Sequence, residues 1–322
     1  MSEKQKLKVT LLAGGVGGAK MAEGFASLED VDLTIIGNVA DDEAFHGLWV
    51  SPDIDTMTYT LSGRINRQQG WGLADEGTRA LETLTSLGED TWMMLGDRDF
   101  GLHIYRTMRR MKGDRPSDIA ADVAKAFGVK SKILLPTNDV VQTRVKTEQG
   151  WLSFQEYFVK EKCAPAVKAL EFAGIEEASA TPEALEAIAS AELLVIAPSN
   201  PLVSIEPILA IKGIREALKK RAVPSIAVSP LIAGKVVKGP ADRMMSALGM
   251  RADAVGVATR YLGLADILLI DHQDVALSAE ILDLSIEPHC TDIMMKDMSD
   301  KMRLASEIVQ LDRDQGQNGA AA

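Results

Sequence analysis
The sequence predicts an α/β protein, a doubly wound, mostly parallel Rossmann-like sheet with a β-rich insertion. Three observations carry that expectation. Short apolar runs alternate with helical stretches along most of the 322 residues. The first alternation, of strand, glycine turn, helix and strand, closes within about 30 residues, the length of a βαβ unit. Between residues 136 and 175 the pattern changes to short strands about a hairpin turn. The core is therefore expected at 1–135 and 176–311, the insertion at 136–175 and a disordered tail at 312–322.

Leu7–Ala13 (LKVTLLA) reads as a buried strand, Gly14–Gly18 as a turn, Ala19 to Leu28 as a helix and Val31–Gly37 as a second strand. Helices are expected over Ala74–Leu87, Phe100–Met111 and Pro116–Phe127, the last stopped by Gly128. Lys132–Leu135 is a strand, and Gln142–Thr147 and Trp151–Val159 flank a turn at Glu148-Gln149-Gly150. Thr181-Pro182 opens a helix to Ser190, with proline at the first helical position. The strand Leu193–Ala197 precedes a helix from about Ser204 to Arg221. Strands at Ser225–Val228 and Ile267–Ile270 and helices at Ala241–Leu248 and Met302–Val309 complete the pattern.

A net charge of −11 excludes non-specific binding to nucleic acid or to anionic membranes, which needs basic surface. Cys163 and Cys290 stand far apart in no metal-type spacing, so neither a disulfide framework nor a zinc site is expected. The apolar run Val9–Ala13 is too short for a signal-peptide core or a membrane span, and a cytoplasmic protein is expected.

Chemistry gathers first at Ala13-Gly14-Gly15-Val16-Gly17-Gly18-Ala19-Lys20. Glycines let backbone approach a ligand, and the helix that follows offers free N–H groups and a partial positive charge. Lys20 adds a full charge. Gly14, Gly15, Gly17, Gly18 and Lys20 thus suit a diphosphate. A dinucleotide site would need a third glycine where Lys20 stands, and an acidic residue at the end of the second strand, where the chain reads Ile36-Gly37-Asn38. The Walker pattern is broken by Ala19-Lys20-Met21.

Asn38-Val39-Ala40-Asp41-Asp42 follows the second strand at the sheet edge where ligands bind. Asp53 and Asp55, in Ser51-Pro52-Asp53-Ile54-Asp55-Thr56, are read as an extended or turn segment facing one ligand. With Asp42 they are the expected hard oxygen ligands of Mg²⁺. In Leu95-Gly96-Asp97-Arg98-Asp99-Phe100, Asp99 is the expected helix cap, which leaves Arg98 for a phosphate or a ring edge. Ser199 and Asn200, between two prolines at another strand end, suit nucleotide recognition. Trp49, Tyr59 and Trp71 are candidates to stack a flat ring.

These stretches resemble the 2-phospho-L-lactate transferase family of deazaflavin coenzyme (F-420) biosynthesis. The matching segments are LLAGGVGGAK (11–20), NVADD (38–42), HGLWVSPDIDT (46–56), GWG (70–72), LGDRD with His103, FQEYFV (154–159), APSNP (197–201), KGIREAL (212–218) and SPLI (229–232). They run in one order over nearly the whole chain, and the SPDxDT and LGDRDxxxH pair is the most specific. The resemblance implies a Mg²⁺-dependent transferase and a homodimer. Its donor is a guanosine diphosphate ester of a phosphorylated three-carbon acid: phospholactate, phosphoenolpyruvate or 3-phosphoglycerate. The acceptor is the ribityl hydroxyl of the deazaflavin Fo, and GMP leaves. On that basis Asp55, Met94, Arg98 and His103 are the expected Fo contacts, and Asp53 and Asp55 the expected catalytic residues. Asp55 is either a metal ligand or the base that takes the hydroxyl proton. Met93-Met94 depart from the family, whose members often carry a polar residue there. A non-catalytic nucleotide-sugar-binding regulator of the same fold is the alternative. A dinucleotide oxidoreductase is disfavoured by Asn38.

Overall fold
The computed structural model describes residues 5–319, with side chains to 313. The first half runs β1 (Leu7–Ala13), α1 (Gly15–Ala26), β2 (Val31–Gly37), a small hairpin of β3 (Glu43–Phe45) and β4 (Leu48–Val50), α2 (Pro52–Leu61), α3 (Arg79–Ser86), α4 (Asp97–Met111), α5 (Pro116–Ala126) and β5 (Lys132–Leu134). The insertion carries β6 (Gln142–Thr147), β7 (Gly150–Ser153) and β8 (Ala169–Ala173). The second half runs α6 (Pro182–Ala189), β9 (Leu193–Ile196), α7 (Glu206–Ala210), α8 (Ile214–Lys219), β10 (Ser225–Val228), β11 (Leu231–Ile232), β12 (Lys235–Val236), α9 (Ala241–Ala247), α10 (Ala254–Arg260), β13 (Ile267–Asp271), α11 (Ser278–Asp283), β14 (Glu287–Thr291) and α12 (Met298–Gly319).

Seven strands form one sheet in the order β14-β13-β10-β9-β1-β2-β5, every neighbouring pair parallel. The fold is α/β, as the alternation requires. Both faces are covered, so the central strands β9, β10 and β13 are buried throughout and almost wholly apolar, whereas the edge strand β14 (EPHCT) is mostly polar and was not among the expected strands. Leu11 and Ile35 pack on one face, Leu12 and Ile36 on the other. The insertion is a separate antiparallel sheet in the order β7-β6-β8.

Two helix starts move: Gly15–Gly18, expected as a turn, form the first turn of α1, and the helix expected from Ala74 starts at Arg79. Four larger expectations change. Residues 52–61 are helix α2, not an extended segment or turn. Pro52 at its start and two acidic residues in its first turn are the features that favour a helix there. The predicted helix from Ser204 to Arg221 is instead a π-helical turn at Pro201–Ile205, then α7 and α8, divided where Gly213 takes φ +99°. The strand Trp151–Val159 ends at Ser153, whose hydroxyl accepts from the Glu156 N–H and opens a π-helical turn at Glu156–Lys160. Finally, α12 continues through residues 312–319 of the expected tail, with Leu311 packed on the core and Arg313 paired to Asp30. Residues 320–322 lie outside the described residues.

Candidate active site
Five segments that follow the sheet strands at their carboxyl ends meet around one cleft of about 500 Å³: the turns after β1, β2, β9 and β10, and Ile293–Met295 after β14. Parallel strands direct all these turns to the same edge, which is why ligand sites of such sheets collect there.

The glycine turn forms one wall. Gly14 is extended and caps α1, which starts at Gly15 with φ +63°. Gly14, Gly15, Gly17 and Lys20 line the cleft; Gly18 does not. Gly17 and Gly18 have a packing reason to be glycine: a Cβ would overlap the Pro198 carbonyl oxygen at Gly17 and stand 2.9 Å from Ser199 Oγ at Gly18. Ser199 Oγ donates to the Gly14 carbonyl at 2.7 Å and accepts from the Gly14 N–H at 3.2 Å, so it braces the turn from β9. Asn200 accepts from the Leu202 N–H at 2.9 Å, and Ser199 and Asn200 line the cleft. Lys20 Nζ donates to the Met295 carbonyl at 2.8 Å. Desolvation, with Lys301 and Lys238 nearby, holds its pKa below the ordinary lysine value.

The acidic residues separate into three environments. Asp53 Oδ2 accepts from Asn38 Nδ2 at 3.0 Å, and a Cβ on Gly14 would lie 2.7 Å from it, so this carboxylate abuts the glycine turn. Burial pushes its pKa up to about 6. Asp41 also lines the cleft, and its Oδ1 is buried without a hydrogen-bond partner among the described residues. Burial first, then the charges of Asp53 and Asp42, raise Asp41 well above the usual carboxylate range; Thr143 and Asn38 offset only part of this. Asp42 points elsewhere. Its Oδ2 accepts from Ser51 Oγ at 2.7 Å and Trp49 Nε1 at 3.2 Å, and burial lifts its pKa to about 7.

Asp55 lies two positions after Asp53 on a helix, so the two side chains diverge by about 200°. Both Asp55 oxygens accept from Arg106, a fully buried partner on α4. Arg106 Nη1 also contacts His103 Nδ1 at 3.1 Å. A guanidinium can only donate, so Nδ1 is the acceptor and the imidazole proton sits on Nε2. Desolvation lowers His103 to about 4, which keeps the ring neutral near pH 7. Asp99 accepts from the Tyr59 hydroxyl at 2.7 Å and from the Gly96 N–H; it is not the expected N-cap of a helix starting near Phe100 but the third residue of α4, which starts at Asp97 behind the N-cap Gly96. Asp42, Asp53 and Asp55 are thus not gathered into one metal site; among the described residues no three His, Cys, Asp or Glu side chains are.

The opposite wall is apolar. Trp71, Met93, Met94, Phe154 and Phe158 line it, and the two phenylalanines stack at 5.5 Å. Met94 is therefore on the cleft. Arg98 is not: its guanidinium donates to the Ala74 carbonyl and lines a separate hollow on the far side of α4, beside Arg64 and Phe127. Trp49 also leaves the site, stacked under Arg110. Asp55, Asp99 and His103 also line the cleft. Sequence reasoning missed Asp41 as a cleft carboxylate, Arg106 and the Phe154–Phe158 pair. Their signals were present: Asp41 adjoins Asp42, Arg106 falls one turn after His103, and the phenylalanines are four residues apart.

The family model for 2-phospho-L-lactate transferase CofD matches residues 9–309. The chain belongs to that family. It is therefore an enzyme of the 2-phospho-L-lactate transferase type. The phosphoenolpyruvate transferase of Streptomyces griseus subsp. griseus is 38% identical over 312 residues, 95% of this chain and 98% of the relative. The 2-phospho-L-lactate transferase of Methanopyrus kandleri is 37% identical over 309 residues, 95% and 97% of the two chains. The crystal structure of protein BH3568 from Bacillus halodurans covers 95% of this chain and 100% of its own with a TM-score of 0.63 at 18% identity, which shows that the transferase fold is shared.

Proposed function
We propose that the enzyme moves a phosphorylated three-carbon acid from its guanosine diphosphate ester to the ribityl hydroxyl of Fo and releases GMP, in coenzyme F-420 biosynthesis. The observation that carries this reading is the make-up of one cleft. It joins the open N-terminus of α1 with Lys20, two carboxylates at the glycine turn, and an apolar aromatic wall able to face a flat ring. The hydroxyl oxygen bonds to the phosphorus that bears the three-carbon acid, the bond from that phosphorus to the GMP oxygen breaks, and the hydroxyl proton is released. Such transfers ask a protein for positioning and charge neutralisation more than for covalent chemistry. The α1 N–H groups and Lys20 hold the diphosphate. His103 offers an Nε2 donor to the acceptor, and Trp71, Phe154 and Phe158 exclude water from its ring.

Magnesium fits the residues present, with Asp41 and Asp53 as its ligands in place of the expected trio. The unpartnered Asp41 Oδ1 and the raised pKa of both groups describe buried carboxylates that lack a cation. Two carboxylates completed by phosphate and water is the usual magnesium shell. When bound, the ion would neutralise charge on the phosphoryl group under attack. Asp55 also lines the cleft, but both its oxygens accept from Arg106, a pairing that disfavours it as ligand or base relative to Asp41 and Asp53.

The decisive experiment mixes purified protein, Fo, Mg²⁺ and each guanylylated donor, with phospholactate, phosphoenolpyruvate or 3-phosphoglycerate as the acid. The expected result is GMP and a product heavier than Fo by the phospho-acid. No product with any of the three overturns the reading. Competition among the donors then identifies the acid. Relatives named for two different acids stand at 38% and 37% identity, so overall similarity does not choose between them.

A further inference from the structure
The turn after β10 carries the β11–β12 hairpin, and its descending arm, Val236 to Ala241, forms a rim of the cleft. Lys238 sits on that rim. Its ammonium donates to the Gln69 carbonyl at 3.0 Å, in a loop from the opposite side of the cleft. That loop is fixed in shape: Asn66 Oδ1 accepts from the Gln68 and Gln69 N–H groups, each at 3.1 Å. Gly70 turns the loop down with φ +76°; a methyl there would stand 3.3 Å from Lys238 Nζ and 3.7 Å from Val16 Cγ1. The Lys238 ammonium is therefore close to the glycine turn itself, near the start of α1.

The charge environment makes this unusual. The chain is acidic overall, and most of its arginines are tied to carboxylates, among them Arg67, Arg106, Arg115, Arg215, Arg251 and Arg260. Lys20 and Lys238 are not. Each donates to a backbone carbonyl and both line the same cleft; desolvation, then the charges of Lys301 and Lys238, lower the Lys20 pKa. Two like charges on one cavity, neither ion-paired to a carboxylate, leave that part of the cleft receptive to an anion. Asp41 and Asp53 line the same cleft, but among the described residues neither lysine is hydrogen-bonded to them; each ammonium is held by a backbone carbonyl instead.

We infer that Lys238 is a second cation for the anionic diphosphate of the donor, mounted beside the glycine turn on a hairpin that straps across the cleft to Gln69. This rests on the proposed function for the identity of the donor, but not for the presence of a diphosphate site. An ammonium can hold three acceptors, so Lys238 can keep Gln69 while it takes a phosphoryl oxygen. The strap and the phosphate contact are then one device, which seats the rim when the donor is bound.

Calorimetric titration with GDP, inorganic pyrophosphate and Fo, on wild type, Lys238→Ala and Lys238→Arg, tests the inference. The alanine variant should bind GDP and pyrophosphate roughly tenfold to a hundredfold more weakly, the loss of one charged hydrogen bond. Arginine should restore most of it, Fo affinity should stay unchanged, and thermal melting should show a folded protein. In the transfer assay the donor KM should rise while the Fo KM does not. GDP affinity within twofold of wild type overturns the inference. So does an equal loss of Fo affinity, which marks Lys238 as a structural strap only. A wild type that binds GDP through Lys238 but transfers nothing to Fo would sink the proposed function and leave this inference standing.

Discussion

Asp55 shows how one hidden partner changes a residue's role. Read along the chain, it pairs with Asp53; in space it pairs with Arg106, 51 residues away. The ion pair is buried on both sides, and Arg106 also orients His103. Breaking a buried pair from one side strands the other charge. Arg106→Met should therefore cost about 3–5 kcal/mol in urea unfolding. The double variant Arg106→Met with Asp55→Leu should recover part of that loss without recovering activity. A single variant as stable as wild type would mean that Asp55 takes up a proton at no cost. None of this was legible beforehand, because Arg106 lies in DRDFGLHIYRTMRRM, where several arginines look alike and only the fold brings one to Asp55. Lys20 and Asp53 were legible because the glycine turn is local: strand, turn and helix N-terminus are consecutive in the chain.

At the scale of elements, α1 is seated by glycines whose neighbours come from elsewhere. At Gly17 the close atom is backbone, the Pro198 carbonyl oxygen, and cannot rotate away. Gly17→Ala should destabilise by about 1–3 kcal/mol, as overpacking does, and weaken GDP binding by tilting the helix N-terminus. Gly101, inside α4, faces open space. Gly101→Ala should stabilise by about 0.5–1 kcal/mol. Paired thermal melts check both signs, and a stabilised Gly17→Ala would refute the packing account. The glycines were legible as a phosphate turn, but two of them serve a contact with β9's loop that no local pattern encodes. For α2 the opposite held. Pro52 and the acidic first turn are ordinary helix-start signals, yet the acidic spacing drew the reading towards a turn, and a helix sends residues two apart to different sides. The central strands were the most legible elements, since burial on both faces writes continuous apolar runs, whereas the edge strand β14, EPHCT, offers no such run and was not foreseen.

For the whole molecule, buried carboxylates link stability to pH. Burial raises Asp53 and Asp99 to about 6 and Asp42 to about 7. A raised carboxyl binds its proton more tightly when folded, so its contribution is greatest below the unfolded pKa near 4 and is lost as pH rises through 6–7. Melting temperature should accordingly fall between pH 5 and pH 8 from these groups. If Mg²⁺ binds Asp41 and Asp53 as proposed, it competes there with protons, so added Mg²⁺ should raise the melting temperature more at pH 8 than at pH 5. Equal shifts at both values would count against carboxylate ligation. The homodimer implied by the family resemblance needs an apolar face, and α4 presents Ile104, Met108 and Met111 at helical spacing, all exposed. Light scattering should give twice the chain mass, and Met108→Glu should halve it. A wild-type monomer at micromolar concentration would remove the dimer. Among the described residues, no helix is long and apolar enough to cross a membrane.

The first helix of the chain is locked by its last. Lys20 donates to Met295, 275 residues on, Glu23 receives Lys301 at 2.6 Å, and Gly24 lets the Lys301 carbonyl press against α1. During synthesis the glycine turn emerges almost immediately, but the elements that seat it arrive at the end. Assembly of the cleft thus belongs to the slow, long-range class of folding events. A chain that stops before Met295 carries every glycine of the turn and still lacks the contacts that seat α1, so it should bind GDP more weakly than a chain that includes them.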